Sequence, residues 1–210
     1  MSHWDIGRVR ELVHLHQGSV SSELRRAATL LILTECEGQL AVLFEVRSEY
    51  ISQPGEVAFP GGKIEVGESP EEAALRECYE EIGIPSKNLE ILGQIAVTSS
   101  SFHQVHCFAA WLQPGFKDFR LDAKEVKSIF TVPLAYFLDN DPKYYKAPFK
   151  VDPNADFPFD LVRGGSNYPF FLLQETIPFY DLPRSYSEHV LWGFTARYVH
   201  KFSQILKAGF

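Results

Sequence analysis

Cysteine is scarce: only Cys36, Cys78 and Cys107 occur in 210 residues. Their scatter and odd number exclude a disulfide framework and predict reduced thiols. No apolar run is long enough to span a bilayer, so no membrane partner is expected. The N-terminal stretch MSHWDIGRVRELVHLH lacks the apolar core of a signal peptide, which predicts a cytoplasmic protein. Positive charge is also in deficit. Twenty Lys and Arg against 27 Asp and Glu leave a net charge of −7, which argues against general binding to DNA or RNA phosphates. Repeats, low-complexity tracts and obvious linkers are missing, and the length suits one domain.

What is present is ordinary in amount, with 45% hydrophobic and 14% aromatic residues, so the information lies in their order. AATLLILTE and QLAVLFEV are β-type runs on either side of Glu37-Gly38 and predict a hairpin. LEILGQIAV and VHCFAAWL predict two more strands, and KSIFTV-PLAYFL a strand running into a short helix opened by Pro133. Asp5 caps an expected first helix carrying Ile6, Val9, Leu12 and Val13 at helical spacing and ending near Gly18. A last helix is expected to bury Leu191, Thr195, Tyr198, Val199, Phe202, Ile205 and Leu206. The whole reads as one α/β domain: an N-terminal helix, a core over about 25–140, and an aromatic-rich extension over about 141–210.

Within this frame one segment is chemically unusual. GKIEVGESPEEAALRECYEEIGI, from Gly62 to Ile84, crowds Glu65, Glu68, Glu71, Glu72, Glu77, Glu80 and Glu81 together. Ser69 and Glu72 have capping-box spacing, Pro70 falls at the first helical position, and Gly83 and Pro85 stop the helix. Glu71 and Glu72 sit in the first turn, where the helix dipole favours them. At about 100° per residue, Glu77, Glu80 and Glu81 share one third of the circumference in the last turns, where that dipole disfavours anions. Ala74, Leu75, Cys78 and Ile82 occupy another arc, facing the core. Such hard oxygen donors suit Mg²⁺ or Mn²⁺. A solvated acidic face, relieved locally by Arg76, is the competing reading, and spacing alone leaves both open.

The full pattern resembles the Nudix box: Gly62, five residues, Glu68, seven residues, then Arg76-Glu77-Cys78-Tyr79-Glu80-Glu81-Ile82-Gly83-Ile84. That resemblance implies a Nudix-type α/β/α sandwich with a mixed β-sheet, and hydrolysis of a nucleoside diphosphate linked to another group. It implies that Glu77, Glu80 and Glu81 hold divalent metals, that Arg76 orients a metal-binding glutamate, and that Glu68 supports the loop or an outer metal. Glu125 stands where many Nudix proteins carry a metal-binding or basic glutamate, and it reads equally as a loop carboxylate. Glu80, Glu81, Arg76 and Glu125 are therefore the catalytic candidates.

Upstream, LFEVRSEYISQPGEVAFPGG resembles the signature of coenzyme A pyrophosphatases within this family. Arg47, Ser48, Gly55, Phe59, Pro60, Gly61 and Gly62 match, so Arg47, Ser48, Gly61 and Gly62 become substrate-binding candidates. Glu45 stands where the pattern usually has Thr, the spacer from Arg47 to Gly55 is one residue short, and Ile51 or Ser52 replaces a second basic residue. LWGFTARYV is similar to the closing helix of the same subgroup. His103 and His106 point to opposite faces of a strand and are not expected to bind metal. The aromatic stretches FPFDLV, YPFFLL and IPFYDL read first as core, with an acyl-pantetheine groove or a homodimer surface as alternatives. Three functions follow from the resemblance: coenzyme A or acyl-CoA pyrophosphatase yielding 3′,5′-ADP and a 4′-phosphopantetheine product, hydrolase of another substrate such as NADH or ADP-ribose, or non-catalytic nucleotide-binding regulator.

Overall fold

The computed structural model describes residues 24–99, 103–147, 152–168 and 175–208. The expected first helix, from Asp5 to Gly18, lies outside the described residues, as does most of YPFFLL. The central sheet contains β1 (Arg25–Cys36), β2 (Gln39–Arg47), β3 (Val57–Ala58), β4 (Gly61–Lys63), β5 (Leu89–Ser99), β6 (His103–Leu112) and β7 (Val126–Pro133). β1 and β2 form the expected hairpin, with Cys36 paired to Gln39 and both Glu37 and Gly38 at positive φ. β1 runs parallel to β6 and antiparallel to β2 and β4, so the sheet is mixed. β7 lies antiparallel to β2, with a register shift at Val46 and Arg47.

Both faces of this sheet are covered, which is why β1 and β2 read as long apolar runs. On one face Ala28, Leu30, Ile32 and Leu43 pack against Ala73, Ala74, Cys78 and Ile82 of α1 (Pro70–Ile82). The alternate residues Leu31, Leu33, Val42 and Phe44 meet Phe137 of α2 (Leu134–Asp139) and Val199 and Phe202 of α3 (Gly193–Ala208). The result is a layered helix–sheet–helix arrangement, the α/β/α sandwich expected from the sequence. Among the described residues a second sheet joins β8 (Lys143–Ala147), β9 (Glu175–Tyr180) and β10 (Leu191–Trp192).

Three details differ from the pattern reading. Pro133 ends β7 and caps α2, whose first residue is Leu134. Leu191 is buried from a strand, while Ile205 is 42% exposed and Ala196 and Ser203 take its expected place beneath α3. FPFDLV does not join the core. Phe157 and Leu161 are exposed because this segment forms short turns that no layer covers, whereas Tyr180 from IPFYDL is buried. No described helix is long and apolar enough to cross a membrane.

Candidate active site

The glutamate-rich segment folds as its sequence dictates. The Ser69 hydroxyl accepts from the Glu72 N–H at 3.2 Å, and the Glu72 carboxylate accepts from the Ser69 N–H at 2.9 Å. Pro70 opens α1 and Gly83 closes it in the left-handed conformation. A Cβ on Gly83 would also lie 2.7 Å from the Arg120 backbone nitrogen. That close approach lets the peptide N–H groups of Arg120 and Asp122 donate to the carbonyls of Ile82 and Glu81, at 3.1 and 2.9 Å. The same segment continues into Glu125, so the end of α1 and the Glu125 loop are joined through backbone.

The glutamates of α1 then divide. Arg76 donates to both Glu68 oxygens, to Glu77 Oε1 and to Glu80 Oε2, all at 2.9–3.0 Å. A further bond reaches the Lys63 carbonyl at 3.0 Å and ties this fan to the β4 loop. The Arg76 hydrogen bonds hold the Glu68 carboxyl below its ordinary range. Burial pushes Glu77 upward despite its Arg76 contact. Glu80 is the exposed member, with 54% of its side chain accessible. Among the described residues no three His, Cys, Asp or Glu side chains form a ready metal cluster. Glu68, Glu77 and Glu80 converge instead on the guanidinium.

Glu81 turns the other way and is 3% exposed, with Oε2 accepting the Gly61 N–H at 2.7 Å. Beneath it, Glu45 of β2 is 1% exposed, on the same sheet face as Leu43. Its Oε2 has no hydrogen-bond partner. Burial first, and then the Glu45 charge, raise the proton affinity of Glu81. Glu45 is itself raised by burial and by Glu125, against the opposing pull of Arg47. Glu125 also raises Glu77 and Glu81, so Glu45, Glu77, Glu81 and Glu125 form one electrostatic neighbourhood. A hard divalent cation would suit these oxygen donors, because it would relieve two buried carboxyls, one of which raises the other's cost of ionising.

Three of the four substrate-binding candidates make contacts that hold the site together. Gly61 pairs with Thr29 and gives its N–H to Glu81; a Cβ there would fall 2.3 Å from the Ala28 carbonyl oxygen. Gly62 makes room for Glu77, whose carboxylate oxygens would lie 2.6 Å from an added Cβ. Ser48 is 3% exposed, its N–H donates to the Glu125 carbonyl and its hydroxyl to the Lys124 carbonyl, fastening the Glu125 loop.

Arg47 is the fourth candidate. It lines a cleft of about 230 Å³ between Glu56 and Val57 on one side and Trp192, Phe194 and Arg197 on the other. Its guanidinium donates to Ser52 O at 2.8 Å and to Ser52 Oγ at 3.3 Å. Thr195 Oγ1 donates to the Val57 carbonyl at 3.1 Å and fixes the α3 wall to β3. The pattern reading missed Trp192 and Arg197 as cleft walls, since nothing local marks a contact across such a sequence gap. It registered Glu45 only as a departure from a motif. A glutamate inside AVLFEV was the available signal, because such residues are almost never fully buried unless paired.

A NUDIX domain family model matches residues 24–149. An uncharacterized Nudix hydrolase, NudL, of Yersinia enterocolitica is 31% identical over 190 residues, covering 89% of this chain and 84% of that protein. The peroxisomal coenzyme A diphosphatase ndx-8 of Caenorhabditis elegans is 34% identical over 139 residues, 63% of this chain and 59% of that one. The crystal structure of a MutT/nudix family protein from Enterococcus faecalis aligns over 97% of this chain and 70% of its own, with 15% identity and a TM-score of 0.53. At that identity the likeness concerns fold alone.

Proposed function

The chain belongs to the Nudix hydrolase family, and from that premise we propose that it hydrolyses the pyrophosphate bond of coenzyme A or acyl-CoA to give 3′,5′-ADP and a 4′-phosphopantetheine product. The observation that carries this reading is the adjacency of Arg47 to two features. Arg47 lines the aromatic-walled cleft, and its charge acts on Glu45 inside the buried carboxylate group. The similarity to the C. elegans coenzyme A diphosphatase supports the same substrate class.

Nudix hydrolases generally need divalent metal ions. Glu77, Glu80 and Glu81, with Glu68 outside them, are the residues proposed to hold Mg²⁺ or Mn²⁺. When bound, such an ion supplies neutralisation of phosphoryl charge and acidification of attacking water. Arg76 orients the carboxylates by distributing five hydrogen bonds over Glu68, Glu77, Glu80 and the Lys63 carbonyl. Glu125, held by Ser48 and by the backbone at the end of α1, is the proposed proton acceptor. Arg47 binds an anionic phosphoryl group, offering the planar fork that suits phosphate oxygens. Trp192 and Phe194 supply flat apolar surface for the base or the pantetheine arm. The free, largely buried thiols are compatible with a reducing, cytoplasmic setting.

A second reading, hydrolysis of NADH or ADP-ribose, draws support from Ser52. It stands in the region where the coenzyme A signature has a second basic residue, and it occupies the Arg47 guanidinium. Incubation with Mg²⁺ or Mn²⁺ and separate coenzyme A, NADH, ADP-ribose and nucleoside triphosphates decides between them. Highest kcat/KM on coenzyme A is expected. Highest kcat/KM on NADH or ADP-ribose replaces the first reading with the second, and tight nucleotide binding with no turnover makes the protein a regulator.

A further inference from the structure

Glu45 belongs to none of the assigned roles, yet it is among the costliest side chains in the molecule. It sits near the end of β2, paired to Ala58 of β3 and Ile129 of β7, with strands on both sides. At 1% exposure it is shut off from bulk water, and Oε2 has no hydrogen-bond partner. A lone buried carboxylate with an unpartnered oxygen is strongly destabilising unless it is protonated or paired. The strand alternation that puts Leu43 against α1 puts Glu45 on that same side. Its charge acts on Cys78, on the buried face of α1, and on Glu81, one turn nearer the helix end. The unsatisfied oxygen therefore lies under the part of α1 that carries Glu81. A threonine at this position, the usual residue of the signature, could satisfy its hydroxyl locally. A glutamate kept ionised there needs a cation.

We propose that Glu45 is an additional carboxylate ligand of the divalent-cation site, reaching it from the sheet beneath Glu81. The inference rests on the Nudix reading of the α1 carboxylates and adds a ligand from a different element. Arg47, whose charge acts on Glu45, has its guanidinium on Ser52. Arg76, the other local cation, is committed to Glu68, Glu77 and Glu80. Of the neighbouring groups, Glu81 and Glu125 add only negative charge. A hard divalent ion seated between the two buried carboxylates gives Glu45 Oε2 its missing partner, and it leaves the Arg76 fan in place as the outer support.

The test uses substrate-free full-length protein and Mn²⁺ alone, with free Mn²⁺ followed by electron paramagnetic resonance. Glu45→Gln keeps the shape and removes the charged ligand. Glu45→Thr restores the usual residue of the signature and guards against a fold specific to Gln. Melting in EDTA verifies that both are folded, with Glu45→Gln expected to melt at or above wild type, since it no longer buries a charge. Both variants are expected to raise the Kd for Mn²⁺ by about tenfold or more. If either folded variant binds Mn²⁺ within a factor of about two of wild type, Glu45 is not a ligand and the proposal is overturned, while the Nudix reading stands. If wild type itself takes up no Mn²⁺, the metal assignment of the whole site falls and takes Glu45 with it. Neither outcome depends on turnover of any substrate.

Discussion

The α-carbon of Gly62 faces the carboxylate of Glu77 so closely that an added methyl would sit 2.5 Å from its carboxyl carbon. No strained backbone demands glycine here; the demand comes from a side chain on another element. Gly62→Ala should leave the fold intact, because a flexible glutamate tip can swing aside. It should also displace Glu77 from Arg76 and weaken metal affinity by about 10–100-fold, as losses of supporting contacts do. Gly61→Ala meets backbone of β1 instead and should lower the melting temperature. Paired melting curves and Mn²⁺ titrations check the contrast.

The buried carboxyls make metal-free stability depend on pH. Glu45 and Glu81 both have raised proton affinity, chiefly from burial. The folded chain therefore binds more protons than the unfolded chain above the ordinary carboxylate range. Stability must then decrease as pH rises from the ordinary carboxylate value of 4.5 through about 7 for Glu45 and about 9 for Glu81. Glu68, shifted downward by Arg76, acts only on the acid side of that window. In EDTA the melting temperature should fall across the interval, and saturating Mg²⁺ should flatten the slope. A rising slope in EDTA contradicts the buried pair.

Arg76→Lys tests the fan. A single ammonium cannot reproduce two bonds to Glu68 together with those to Glu77 and Glu80. The variant should keep the charge yet lose about 10–100-fold in kcat or metal affinity. Near-wild-type kinetics would reduce Arg76 to a point charge.

Ser69→Ala serves as the contrasting case. It removes one half of the capping box and should cost about 1 kcal/mol of stability, with kcat unchanged on whichever substrate proves best. A fall in kcat matching that of Glu81→Gln would mean that the two ends of α1 are not separable.

Arg47→Ala addresses the substrate. If Arg47 takes the 3′-phosphate, hydrolysis of coenzyme A should suffer more than that of 3′-dephospho-CoA, by roughly 1.5–3 kcal/mol. Equal losses in kcat/KM assign Arg47 to the pyrophosphate or to the loop it shares with Ser52.

Much of this site was legible because its determinants are local. The capping box, the Pro70 start, the Gly83 stop and the division between Glu72 and Glu81 are all set within one helix, where spacing fixes direction. The β1–β2 hairpin was equally legible, since Glu37-Gly38 supplies the turn and the flanking runs supply the strands. What escaped was non-local. Ser48, Gly61 and Gly62 match a substrate signature, yet their partners are Lys124, Glu81 and Glu77, which only the folded chain brings near. FPFDLV has core composition but no layer to enter. Ile205 sits at helical spacing from Phe202, yet α3 turns it outward at the edge of its contact with the sheet.

The residues matched by the family model stop at 149, but α3 lies beyond that limit and does two things at once. Its Tyr198, Val199 and Phe202 fill the core, while Phe194 and Arg197, on the same rigid helix, form a wall of the cleft. Thr195 clamps that wall to β3. Evolution therefore cannot remodel this cleft wall independently of folding. A shift in α3 that suits a new substrate must also be tolerated by the packing beneath it, so adaptation should proceed through side chains on a fixed helix axis, with changes at Phe194 or Arg197 showing epistasis with Val199 and Phe202.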